Sequence, residues 1–245
     1  MLQPILTLPS GAELRGGFPG SAVKNLTLHT AVNAGQEFAI GSAYSDYIEA
    51  EIWADPGGSL QITAGDALTY YRQDDAGNRT KVGIFYAEKP TRTKRNSYKV
   101  TAYDTMSKLD ANFSGWLRAN QAQFPKTIWQ LVQLACQRAG VTLASSSLPI
   151  NGSYSVQAFY ADDLTCRQII SWTAEAAGCY AHMNADGKLQ FLTYADKRST
   201  AKITPDGASS TAYYADSLSY EDYTVKAIEK VQIRQSDSDV GVIYP

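Results

Sequence analysis

Histidine and cysteine are scarce in this chain, with two of the first and three of the second among 245 residues. His29 and His182 fall in different parts of the sequence, and Cys136, Cys166 and Cys179 are odd in number with no C-x-x-C spacing. That leaves few metal ligands at useful spacing and excludes a disulfide framework; reduced thiols in a protein made in a cytoplasm are the expected state. Charge of one sign is lacking too. Lys and Arg number 22 against 24 Asp and Glu, a net charge of -2, which offers no global attraction to nucleic acid or to an anionic membrane. No stretch approaches the roughly 18 apolar residues that cross a bilayer. The opening MLQPILTLPSG has no basic region and is broken by Pro4 and Pro9, so it does not read as a secretory signal. The four sequons beginning at Asn25, Asn78, Asn112 and Asn151 therefore read as turn and strand-edge residues. A Gly-rich phosphate loop, a G-x-S-x-G elbow and an RNA-binding aromatic motif are all missing, and no cofactor is expected.

What is present is ordinary globular material, 44% hydrophobic and 19% charged, with an aromatic content skewed to 16 Tyr against 7 Phe and 4 Trp. Tyrosine carries apolar area and a polar tip together, which suits half-buried strands and wet interfaces. From Tyr44 to Asp110 the chain reads as one strand-rich unit: YSDYIEAEIWAD, LQITAGDALTYY, KVGIFYAEKP and YKVTAYDTMSKLD. Ile48, Ala50 and Ile52 share one face and Glu49 and Glu51 the other. Leu60 with Ile62, then Val82, Ile84 and Tyr86, then Tyr98, Val100 and Ala102 alternate in the same way. A period of two marks strands with one buried face.

From about Phe124 the period changes to 3.6. Thr127 and Gln130 form a T-x-x-Q capping box; Ile128, Leu131, Val132, Ala135 and Ala139 make the stripe; Gly140 ends it. Thr165 and Gln168 repeat the device over Cys166, Ile169, Ile170, Thr173 and Ala177, with Gly178 as the stop. Two similar amphipathic helices follow, too few for a solenoid. Next comes CYAHMNADGKLQFLTY, where Asp186-Gly187 between alternating segments predicts a hairpin. From Ile203 the pattern returns to strand, with Val225, Ile228, Val231 and Ile233 as apolar members.

Candidate chemistry thins out under the same reading. His182, near Cys179 on an alternating strand, and Cys166, on the apolar stripe, read as core. Glu49 and Glu51 are spaced as a carboxylate pair could be, but alternation on any solvated sheet face produces such pairs. Asp162-Asp163 lead into the Thr165 cap, and Asp74 to Asn78 is turn chemistry without calcium-loop spacing. One charged feature stands out. The loop KPTRTKRN places Lys89, Arg92, Lys94 and Arg95 together, either as a basic contact loop or as a hairpin loop kept soluble by charge.

The strand order closing on YKVTAYDTMSKLD resembles the first domain of phage tail baseplate-hub proteins. The phrase AGCYA followed by DGKLQF resembles the second, inserted domain of the same family, the two together covering about residues 35–233. The expected fold is α+β: a mainly antiparallel β-barrel or sandwich over 1–110, a small domain of two capped helices and a hairpin over 111–200, and over 201–245 the start of a second barrel-like domain that the chain does not complete. The resemblance implies a structural virion protein rather than an enzyme. It would be a homotrimeric ring between the tail tube and the central spike, with DNA passing through its lumen and no membrane contact. The alternatives are a tail-associated cell-wall hydrolase and a carbohydrate-binding module, the latter motivated by Trp53 and Trp116.

Overall fold

A computed structural model of the chain describes residues 2–32, 40–54 and 60–193, together with the backbone of 231–233 and 242–244. Two compact units divide at Ala195 and Asp196. Within the first, strands β1 (Gln3–Thr7), β2 (Glu13–Arg15), β3 (Val23–His29), β4 (Tyr47–Trp53), β5 (Ala67–Gln73), β6 (Arg79–Ala87), β7 (Thr91–Lys94) and β8 (Ser97–Asp104) form one antiparallel sheet. Its order is β2-β1-β5-β6-β8-β4-β3, with β7 added to β8. The ladders among the described residues do not close a barrel. Among the described residues the two ends of the sheet meet at one parallel bridge, from Gly16, just past β2, to Val23 in β3. Glycine is required at that seam, because a Cβ on residue 16 would lie 2.8 Å from Pro4 Cγ and 2.9 Å from the Val23 carbonyl.

The alternation in β4 comes out as read: Ile48, Ala50 and Ile52 are buried and join Val100, Ala102, Leu6, Leu68 and Phe85 in the sheet core. In β6 the buried face is the other one, Gly83, Phe85 and Ala87, while Val82, Ile84 and Tyr86 are half-buried. The strand is apolar on both faces because its outer face is also covered. Lys108 lies 3.9 Å over the Tyr86 ring, and a Cβ on Gly187 would meet Ile84 at 3.6 Å. The segment with Leu60 and Ile62 buries Ile62 without forming a strand; Thr63 N donates to Asp66 Oδ2 at 2.7 Å to make the turn into β5.

A 3-10 turn (Thr105–Asp110), capped by Asp104, leads to α1 (Ser114–Ala119) and then to α2 (Ile128–Ala139) and α3 (Cys166–Ala176). A two-stranded ladder pairs β9 (Lys126–Thr127), just ahead of α2, with β10 (Ser155–Val156), between the two helices. Both predicted capping boxes form, and Gly140 ends α2 in the left-handed conformation at φ 65°. The stripes of the two helices pack with Met106, Leu109, Phe113 and Leu117 into a second core. The hairpin β11 (Cys179–Met183) and β12 (Leu189–Thr193) completes it, turning at Asp186-Gly187 with Gly187 at φ 69°.

The second unit contributes one described ladder, β13 (Val231–Ile233) with β14 (Val242–Tyr244), antiparallel. The other residues of the expected 201–245 domain lie outside the described ones, Val225 and Ile228 among them.

Candidate functional site

Lys89, Arg92, Lys94 and Arg95 all stand exposed on an arm at the sheet's margin. From sequence this stretch reads as a loop; in the fold Thr91–Lys94 is strand β7, paired with β8 from Lys99 to Ser97. Arg92 is used internally. Its guanidinium donates to the Lys94 and Arg95 carbonyls and lies over the Tyr98 ring, which fixes the turn that carries the other cations. Lys94, at the end of the short edge strand β7, and Lys89 and Arg95, on either side of it, are left as exposed charge.

Glu49 and Glu51 share the outer face of β4, as alternation predicts. Lys99 pairs with Glu49 at 2.7 Å and Ser97 Oγ donates to Glu51 at 2.7 Å. The Lys99 hydrogen bond holds the Glu49 carboxyl below the ordinary carboxylate value, the opposite of what a general acid needs. Cys166 is buried in the helical core, and burial pushes its thiol pKa up rather than activating it. Trp116 packs between Phe113 and Phe124. Trp53 is 44% exposed but carries Lys24 over its ring at 4.7 Å, so neither tryptophan forms an open sugar platform. Asp162 pairs with Arg118, and Asp74 accepts from Asn78 N within its turn.

A cleft of about 730 Å³ opens where the sheet meets α3, walled by Tyr44, Tyr47 and Tyr103 on one side and Arg167 and Ser171 on the other. The lead-in to β4 builds it. Gly41 N donates to the Cys179 carbonyl at 3.0 Å, Ala181 N donates to the Ser42 carbonyl at 2.8 Å, and Ala43 bridges Ala181 in parallel. This short pairing ties the hairpin to the sheet. Arg167 reaches across from α3 to Asp110 at 2.7 Å and to the Met106 carbonyl.

Behind the cleft lies a buried polar cluster. Asp46 Oδ2 accepts from Thr30 Oγ1 at 2.9 Å and faces His182 Nε2 at 3.2 Å. Asp104 Oδ1 accepts from Ser45 Oγ at 2.7 Å and from Met106 N at 3.0 Å, and Asp104 N donates to the Asp46 carbonyl at 2.8 Å. Burial pushes the Asp104 carboxyl up to about 6, opposed by the Ser45 hydrogen bond and helped by the charge of Asp46. The Asp46 hydrogen bond raises His182 above its ordinary value. Asp46 and Asp104 look like ordinary strand-boundary acids in the linear sequence. Only the YD-T-M-S-K-L-D phrase, an acid ahead of a helical turn, marks Asp104 as a cap.

A second, apolar cleft of about 500 Å³ lies beside α2 and α3, lined by Ile128, Leu131, Phe159 and Ile169, with the exposed Tyr154 and Trp172 at its rim. Among the described residues no group of three or more His, Cys, Asp or Glu side chains is arranged to hold a metal ion.

No protein-family model matches the chain, and no curated protein matches it. Solved structures do. The 43 kDa tail protein of prophage MuSo2 from Shewanella oneidensis is similar with a TM-score of 0.55 at 13% identity, over 82% of this chain and 57% of that one. The tail protein from Neisseria meningitidis MC58 is similar with a TM-score of 0.49 at 13% identity, over 78% of this chain and 50% of that one. The chain thus spans little more than half the length of the first. At that identity the likeness is one of architecture: this chain has the fold of the MuSo2 prophage tail protein.

Proposed function

We propose that the chain is a structural, non-enzymatic subunit of a phage or phage-like tail, specifically of the central baseplate hub. There it would form a homotrimeric ring between the tail tube and the central spike. The observation that carries this reading is the fold shared with the MuSo2 prophage tail protein across most of the chain. The sheet is suited to assembly. Among the described residues the strands at its ends, β2 and β3, carry a ladder on one side only, apart from the Gly16–Val23 bridge, which leaves each an edge on which a neighbouring subunit can pair. The arm with Lys89, Lys94 and Arg95 supplies cationic contacts to an acidic neighbour or to DNA in the tail lumen.

Light scattering across a tenfold concentration range, with and without assembled tail tube, tests the proposal. A trimer, or a monomer that becomes a ring on the tube end, supports it. A chain that stays monomeric and does not bind the tube overturns it.

A further inference from the structure

The cluster behind the cleft joins two parts of the fold that have separate apolar cores. Asp46 belongs to the lead-in of β4 and Asp104 ends β8, both in the sheet, whereas His182 comes from the hairpin. A cavity of about 40 Å³ lies among Asp46, Asp104, His182, Leu28, Phe85 and Met183. Asp46 Oδ1 is buried and has no hydrogen-bond partner among the described residues. Asp46 and Asp104 are 8% and 5% exposed, so bulk water does little to screen their charges from each other. Among the described residues, His182 is the cation paired with Asp46, and the charge of Asp104 acts on it as well. Tyr44, on the same lead-in, has a hydroxyl whose pKa is raised by burial and, to a smaller extent, by the charge of Asp46. On the β6 side the nearest charged pair is Lys81 with Asp186, at the exposed hairpin turn, where Lys188 also adds positive charge. Arg167, from α3, is committed to Asp110.

We propose that Asp46, Asp104 and His182 form a protonation latch that fastens the β11–β12 hairpin to the sheet. With His182 protonated and Asp104 neutral, the buried cluster holds one positive and one negative charge and is balanced. With both protons gone it holds two carboxylates and no cation, and the hairpin loses its polar hold on the sheet.

The two groups act in the same direction. His182 is raised above 6.5, so its contribution is full below that value and is lost as pH rises through the higher folded value. Asp104 is raised from 3.8 to about 6, so the folded state is penalised progressively as pH climbs through that interval and stays penalised above it. The Asp104 part of the hold therefore weakens between 3.8 and about 6, and the His182 part is lost only as pH rises above 6.5.

Amide hydrogen exchange of Ala181, which donates to the Ser42 carbonyl, corrected for intrinsic base catalysis, reads the latch at pH 5.5 and 8.5, alongside an NMR titration of the His182 ring. In the intact protein, protection should fall about tenfold for each unit by which the His182 pKa is displaced, with a midpoint matching the His182 titration. Asp104→Asn should raise protection at pH 8.5 above that of the intact protein and move the His182 midpoint to lower pH, because the Asp104 charge helps to raise it. His182→Gln should lose the fall at the His182 midpoint and keep only the smaller change that follows Asp104 near pH 6. Protection that does not change with pH in the intact protein, or that changes away from the His182 midpoint, would overturn the proposal. So would an unaltered pH response in either variant. The intact-protein titration stands even if a variant does not fold.

Discussion

Gly41 lies hard against Glu175: a Cβ on residue 41 would sit 2.5 Å from the Glu175 Cβ and 2.9 Å from its Cα. Gly41 also holds φ at 85°, so both its backbone and its missing side chain are used where the lead-in to β4 crosses α3. Gly41→Ala is expected to cost about 2–5 kcal/mol, roughly 1–2 from the left-handed backbone and the rest from overpacking. Gly11, at φ 82°, is the control, because a Cβ added there would meet nothing within 4 Å. Gly11→Ala should cost only the backbone share. Urea unfolding of the two variants checks the difference.

The two capping boxes make a matched pair. Thr127→Ala and Thr165→Ala each remove a side-chain acceptor for an N3 amide, Gln130 N and Gln168 N. Each should cost about 1 kcal/mol in urea unfolding, with the helical content otherwise retained by circular dichroism.

Phe113 is fully buried where α1 begins, against Trp116. Phe113→Ala is expected to cost about 3–5 kcal/mol through lost transfer energy and the cavity left behind. Thermal unfolding measures it. A loss within the range of a surface substitution would mean that the helical core is not packed around this ring.

All three thiols are free and buried. Burial, with Cys166 beside it, pushes Cys136 up to about 12, and burial alone pushes Cys179 up to about 11. At pH 8 the folded protein should therefore be inert to a disulfide reagent, and unfolding should release all three for labelling. Labelling of the native state at any of them would contradict the packing of the helical core.

The basic arm should divide into two kinds of residue. Lys94→Glu with Arg95→Glu is expected to change stability by less than about 0.5 kcal/mol, since both side chains are surface charges, while weakening any salt-sensitive assembly. Arg92→Ala should instead loosen the β7–β8 turn, because its guanidinium holds the Arg95 carbonyl. Proteolysis at the arm separates these outcomes.

Much of the architecture is legible where a local rule carries it. The capping boxes at Thr127 and Thr165 need only three residues' spacing, and the Asp186-Gly187 turn needs only two, so both appear in the fold as read. In β6 the sequence pattern points to the wrong face, because Val82, Ile84 and Tyr86 alternate as convincingly as Gly83, Phe85 and Ala87. Which set faces inward is decided by the β5 and β8 partners and by the cover of Lys108 and the hairpin turn. The Asp46–His182 contact spans residues far apart in the chain and follows from no local pattern. The arm is legible as charge, but Arg92's inward role depends on a β7 pairing that no local pattern announces.

The sheet and the helices bury two apolar clusters that share no residue, one built around Ile48, Leu68 and Val100 and the other around Phe113, Val132 and Ile170. Cohesion is therefore stored in two reservoirs rather than one, connected through the Asp104–Met106 crossing and the pairing of residues 41–43 with 179–181. A chain built this way can bend or yield at the junction while each half keeps its own shape. For the tail subunit proposed above, which would seat against neighbours on more than one side, such compliance lets one half adjust its fit without disturbing the packing of the other.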